Sequence, residues 1–255
     1  ALLTSAVIPW GSPIEVGDRI VPLQVADINI GVLYVFGVVS IGVYGIMIGS
    51  WASNNKFSLL SGIRGASQMI SYELAMGLSL IAVLMLSGSL RMSVIVGEQI
   101  ANGWNIIYQP LGFLIFFICA LAECNRTPFD LPEAENELNM GYHQEYSSMK
   151  LGFYLFAEYI NMFISGVLMA TLFFGGYDIP FVNEAACGNH WWVGLIGFAV
   201  LMAKAVFFIF MFMWIRWTIP RFRFDQLMHL GWRILIPLAL VNMVITAVVI
   251  LLLNK

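Results

Sequence analysis

Six long apolar stretches divide the chain, at about residues 28–49, 70–90, 106–123, 151–174, 191–215 and 234–253. Each approaches or reaches the roughly 20 residues that an α-helix needs to cross about 30 Å of hydrocarbon at 1.5 Å per residue. Residues 1–9 are apolar too and read as the tail of one more spanning helix. The pattern predicts an all-α, polytopic transmembrane helix bundle, with six full spans plus one truncated at the N-terminus. No internal repeat or low-complexity linker interrupts it, so residues 1–255 read as a single membrane domain. Gly45 and Gly49 make a small-xxx-small face that lets helices approach closely. Trp51, Trp104, Trp191, Trp192 and Trp217 fall at predicted span ends, where amphipathic rings sit at the membrane interface.

Composition removes the soluble alternatives. The chain is 60% hydrophobic and 11% charged, with a mean hydropathy of +0.85, and a soluble chain of this length needs more polar surface to cover its core. The net charge is only -3 and no Lys/Arg-rich run occurs, which argues against a nucleic-acid partner. Cys119, Cys124 and Cys187 are odd in number and in no metal spacing, so neither a disulfide framework nor an iron–sulfur or zinc site is expected. His143, His190 and His229 form no His-x-x-His or Glu-x-x-His cluster, and no metal site is predicted. With no glycine-rich nucleotide motif, neither NADH nor ATP is expected to bind this chain. The sequence starts without a methionine and inside an apolar run, and it reads as a fragment of a longer chain.

Charge sets an orientation. The segments 50–69, 124–150 and 216–233 hold Lys56, Arg64, Arg126, Lys150, Arg216, Arg221, Arg223 and Arg233, against Arg19, Arg91 and Lys255 on the other side. Lys and Arg are retained on the cytoplasmic side. Residues 124–150 therefore face the cytoplasm or the mitochondrial matrix, and the C-terminus faces the periplasm or intermembrane space.

Charge concentrates over residues 119–150. Glu123, Asp130, Glu133, Glu135, Glu137 and Glu145 stand against Arg126 and Lys150, between two long apolar runs. Asp130-Leu131-Pro132-Glu133 has the form of a helix N-terminus, with Asp130 as cap and Glu133 three residues on. In such a helix Glu133 and Glu137 share a face and Glu135 points away. A capping box with solvated acids fits this spacing, and so does a functional acidic loop.

Tyr154, Glu158, Asn161 and Ser165 recur at helical spacing and form one polar stripe down the next span. Glu158 lies about 10 Å inside the predicted helix, and a carboxylate at that depth is a candidate functional residue. Glu73 and Glu123, nearer span ends, either cap and snorkel or take part in function. Lys204, mid-span, calls for an acid from another helix, with Glu158 and Glu73 as candidates; it reads either as a proton carrier or as half of a fixed ion pair. Asp27 reads as an N-cap.

Three motifs carry a family resemblance: Glu123-Cys124-Asn125-Arg126-Thr127-Pro128-Phe129-Asp130-Leu131 with Glu133, Glu135, Glu137 and Leu138; the stretch from Gly49 to Glu73; and Pro220 to His229. In order along the whole chain, they resemble the quinone-proximal membrane subunit of respiratory complex I. The resemblance implies a subunit of a proton-pumping NADH:quinone oxidoreductase whose acidic loop borders a quinone cavity and feeds a chain of carboxylates into the membrane. On the motif positions it implies proton-relay or coupling roles for Glu73, Glu123, Asp130, Glu133, Glu135 and Glu137, to which Glu158 and Lys204 are added by their depth in predicted spans. Arg64, Arg126, Phe129, Arg221 and Arg223 would contact the quinone cavity or neighbouring subunits. Quinone would be a substrate, FMN and iron–sulfur clusters would reside on hydrophilic partner subunits, and other membrane subunits would flank the chain. The membrane would be the bacterial inner membrane, with the mitochondrial inner membrane as the alternative. Two other functions fit parts of the pattern: a membrane anchor of an energy-converting hydrogenase, and a stand-alone cation/proton antiporter.

Overall fold

The computed structural model describes residues 2–16, 19–133, 138, 141–179 and 191–253. The helices among them are α1 (Gly31–Ala52), α2 (Lys56–Ser87), α3 (Met92–Asn102), α4 (Asn105–Tyr108), α5 (Pro110–Glu123), α6 (Ser148–Phe173), α7 (Trp191–Thr218) and α8 (Phe224–Leu253). A π-helical turn at Leu230–Leu235 lies within α8. Before α1 come a 3-10 turn over Leu2–Val7, where the sequence predicts the end of a spanning α-helix, and a small antiparallel hairpin of β1 (Ile14–Val16) and β2 (Arg19–Val21). Helices α1, α2, α6, α7 and α8 are long and apolar enough to cross a bilayer. The chain is an integral membrane protein, and exposed apolar side chains such as Phe207, Phe210, Val244 and Leu252 form the belt that such helices need.

α2 is the axis of the bundle and packs against α1, α5 and α8. Its 32 residues span about 48 Å, well beyond the hydrocarbon, so the basic stretch with Lys56 and Arg64 is helical where the sequence predicts a loop. Hydropathy misses this extension because its inward face is small and polar: Ser58, Ser61, Gly62, Gly65 and Gln68 are buried. Asn55 caps the helix by accepting from the Phe57 N–H at 3.1 Å, and Gly88, left-handed at φ 61°, ends it.

The third predicted span is shorter than expected. α5 has 14 residues, about 21 Å, because Gln109 and Pro110 break it from α4 and the chain leaves the helix at Cys124. Irregular backbone at such depth is tolerated only where protein covers it, and Cys124, Asn125, Arg126, Phe129 and Asp130 are all buried.

The two ends of the bundle are chemically distinct. At one, Arg221 pairs with Asp130 at 2.8 Å, the Phe222 N–H donates to the Pro128 carbonyl at 3.2 Å, and the Asn55 amide donates to Glu145 at 2.9 Å. The three basic segments thus assemble on one face. At the other end Arg91 pairs with Asp27 at 3.6 Å, and Ser93 donates to Asp27 at 3.1 Å. Asp27 is therefore not the cap of α1, whose N-cap is Ile30. The small-xxx-small face is also only half used. Gly49 admits the Tyr154 hydroxyl, whereas Gly45 has no neighbour within 4 Å where a side chain would begin.

Candidate functional site

The segment after α5 folds back because α2 offers it two fixed donors and one gap. The Gln68 amide donates to the carbonyls of Ala122 at 3.0 Å and Phe129 at 2.7 Å, joining the two arms of the turn. The Ser61 hydroxyl donates to the Pro132 carbonyl. Gly65 makes room for the Pro132 ring, since a Cβ there would stand 2.7 Å from Pro132 Cγ. Asn125, at φ 48°, makes the left-handed step that reverses the chain, a conformation asparagine tolerates well. Farther on, Gly141 at φ 64° lies against the Pro132 carbonyl and opens a 3-10 turn, Gly141–His143.

These constraints bring five polar side chains together. Arg126 Nη2 lies 3.3 Å from Glu158 Oε2, and its guanidinium sits 4.6 Å above the Tyr159 ring. The Tyr142 hydroxyl donates to Glu158 Oε1 at 2.7 Å. His143 Nδ1 is 3.3 Å from Glu133 Oε1. Arg126, Tyr142, His143 and Glu158 are all buried. Ligand-type atoms of Glu133, His143 and Glu158 fall within 4.8 Å of one another, a convergence that sequence spacing does not reveal. The Arg126 guanidinium supplies a fixed positive charge in that space. Burial and the Glu158 carboxylate push the Tyr142 phenol well up, which keeps its O–H as a donor. Burial, aided by Arg126 and opposed by Glu133, pushes His143 below the ordinary imidazole value.

Asp130 stands beside the cluster. Arg221 binds its Oδ2, while Oδ1 is buried without a hydrogen-bond partner. Burial and Glu133 together push Asp130 up to about 7, against the pull of Arg221, Arg126 and Arg216. Its carboxylate is held by Arg221, which is not the capping bond expected of it. The helix predicted beyond it, with Glu135 and Glu137, lies outside the described residues.

Glu123 leads inward from the cluster. Its buried Oε2 has no hydrogen-bond partner, and it lines a cavity of about 240 Å³ with Asn161, Ser165, Thr4, Met76 and Phe116. Two members of the predicted α6 stripe thus meet a carboxylate from another helix. Cys124, between them, feels the charges of Glu123, Arg126 and Glu158, and burial pushes its thiol up to about 12. Glu123 is in turn within electrostatic reach of Glu73, which accepts a hydrogen bond from Ser40 of α1. Glu133 and Glu158 thus lie together at the loop and Glu123 and Glu73 in the bundle, with Cys124 within electrostatic reach of both Glu158 and Glu123.

A family model described as NADH dehydrogenase matches residues 1–247. The chain belongs to that family. It is 63% identical over 252 residues to an NADH-quinone oxidoreductase H subunit of Cytophaga hutchinsonii, a match covering 99% of this chain and 73% of that protein. It is also 60% identical over 259 residues to the NADH-quinone oxidoreductase H subunit of Flavobacterium johnsoniae, covering 98% of this chain and 72% of that one. Against an NADH-quinone oxidoreductase H subunit of Geobacter metallireducens the identity is 51% over 252 residues, with 99% and 72% covered.

In this NADH dehydrogenase family member, two sequence expectations need correction, those for Lys204 and Phe129. Lys204 does not take Glu158 or Glu73 as the anchor of its ammonium. Its Nζ donates to the carbonyls of Phe174, Gly176 and Asp178 at 2.7, 2.9 and 2.7 Å and lies 5.0 Å above the Trp104 ring. It caps the C-terminal end of α6, where the helix dipole is negative. Phe129 is only 3% exposed, wedged between Tyr72 at 5.4 Å and Phe222 at 5.7 Å, so it is a core residue. Arg64 lies 5.9 Å over the Phe224 ring on the flank of α2, while Arg223 is exposed at the start of α8. The sequence singles out neither Tyr142 and His143 nor Gln68. Their only signal is a Tyr-His pair just ahead of the helix that carries the polar stripe.

Proposed function

We propose that this chain is the membrane subunit of a proton-translocating NADH:quinone oxidoreductase, in which the buried carboxylates couple quinone reduction to proton movement. The observation that carries the reading is the buried cluster of Arg126, Glu133, Tyr142, His143 and Glu158 at the head of a carboxylate series. With the imidazole neutral, one guanidinium faces two carboxylates, and an uncompensated charge in such a place costs several kcal/mol. A mobile proton supplies the missing charge. Its gain or loss is felt by Glu123 and Glu73 through the same low-dielectric path. Residues 124–150 act as the coupling loop, and Glu135 and Glu137 belong to it on sequence grounds.

In this reading α5 counts as a span despite its length, giving six crossings. The face with Asp130 and Arg221 lies in the cytoplasm or matrix, and the C-terminus lies opposite. Hydrophilic partners carrying FMN and iron–sulfur clusters dock on that face against Arg64, Arg221 and Arg223, quinone reaches a cavity shared with them, and other membrane subunits cover the bundle. This chain's own residues handle protons. Glu158→Gln keeps volume and hydrogen bonding but cannot cycle a proton, so assembled complexes carrying it should lose proton pumping. Normal stoichiometry with normal assembly would overturn the relay.

A further inference from the structure

We propose that His143 is a further proton-transfer residue of this site, exchanging protons between the loop's aqueous face and the Glu133–Glu158 carboxylate pair. The inference rests on the relay reading above and adds a group for which the sequence motifs give no role.

The geometry points to His143 among all the cluster's members. Its side chain is 8% exposed, Nδ1 faces Glu133 Oε1 at 3.3 Å, and Nε2 is buried with no hydrogen-bond partner. The ring is held by Tyr142, with centroids 3.9 Å apart, and by Tyr154 of α6 at 5.7 Å. The charged and titratable groups facing it are Glu133 and Arg126 from the loop, Tyr142 from its own turn, and Tyr154 and Glu158 from α6. α2 contributes a neutral group, the Ser58 hydroxyl, which donates to the Tyr142 carbonyl at 3.4 Å.

Of these groups, Arg126 keeps its charge at any accessible pH, and the buried tyrosine phenol stays protonated. Imidazole alone presents one nitrogen that receives a proton while the other gives one up. The step balances without electron transfer. When the loop opens, hydronium at its aqueous face gives a proton to Nε2, leaving water behind and an imidazolium paired with Glu133. The Nδ1 proton then passes to Glu133 Oε1, leaving a neutral ring with the other tautomer, and Glu133 hands its proton to Glu158. Rotation of the ring resets the tautomer. The 3.3 Å separation is loose for transfer, as is common before a catalytic complex tightens.

Two variants separate this role from the structural ones. His143→Phe keeps the ring between Tyr142 and Tyr154 but has no nitrogen; His143→Gln keeps a polar partner for Glu133 but cannot relay. In complexes reconstituted in sealed vesicles with wild-type subunit content, both should slow coupled quinone reduction at least about a hundredfold, the low side of what positioned acid–base groups contribute. Both should also raise the solvent deuterium isotope effect on turnover, because proton delivery becomes limiting. A wild-type rate with Phe would make His143 a packing residue, and a wild-type rate with Gln would make it only a hydrogen-bond partner. Failure of both to assemble would make it a folding residue. Each of these overturns the proposal. Glu158→Gln, measured alongside, separates the two levels. If it pumps normally, the relay reading fails and this one with it; if it is impaired while either His143 variant is normal, this proposal alone fails.

Discussion

Arg221 and Asp130 join the end of α7 to the buried loop, and their pairing has a pH signature. Asp130 is pushed up to about 7 from an ordinary 3.8, so protonation favours the closed loop. That contribution is fully present below the ordinary value and is lost as pH rises through about 7. Arg221→Met removes a cation bound at 2.8 Å whose side chain is 33% exposed. A charge-assisted hydrogen bond contributes about 1.5–3 kcal/mol, and screening at a one-third exposed group takes it to the lower end. Cys124 is a built-in reporter, since it is free, buried and on the same loop, and a thiol held up to about 12 reacts only when the loop opens. In assembled complexes, labelling of Cys124 by N-ethylmaleimide, read by mass spectrometry against Cys119, should be about tenfold faster in Arg221→Met than in wild type at pH 8, at about 1.36 kcal/mol per tenfold. At pH 6, where the carboxyl is mostly protonated in both, the ratio should fall to about threefold or less. Equal acceleration at both pH values, or none at pH 8, would refute the argument that this ion pair closes the loop.

Two further outcomes test the scaffold. Gln68→Leu leaves the Phe129 carbonyl without its 2.7 Å donor, a loss of about 1–3 kcal/mol for a buried acceptor; it should accelerate Cys124 labelling by a similar factor at pH 6 and pH 8, and a pH-dependent effect would contradict the assignment. Gly141→Ala should abolish assembly into the complex, because its Cβ would run into the Pro132 carbonyl at φ 64°, whereas Gly152→Ala, with nothing within 4 Å, should assemble normally; equal recovery of the two variants in the complex would refute the tight turn.

The parts of this protein that read correctly from sequence are those governed by one helix's own period. α6 and α7 start and end within a few residues of expectation, and the Glu158, Asn161, Ser165 stripe faces inward as its spacing requires. The misreadings share a different cause, which is a partner that no side-chain pattern announces. Lys204 donates to three backbone carbonyls at a helix end, and a search for acids passes over them. α2 begins at Lys56 because its buried face is built of Ser and Gly, which hydropathy scores as loop. His143 meets Glu133 from ten residues away, and Tyr142 meets Glu158 from sixteen away; neither spacing belongs to a helix or a strand. The acids themselves are legible because charge is rare in this chain. What makes them a site is the small residues and amides of α2 that hold an irregular loop inside the bundle, and their physical signature is an absence of bulk. The two glycines with the clearest roles, Gly65 and Gly141, touch the same proline, Pro132, so the loop's position depends on residues that contribute no chemistry of their own.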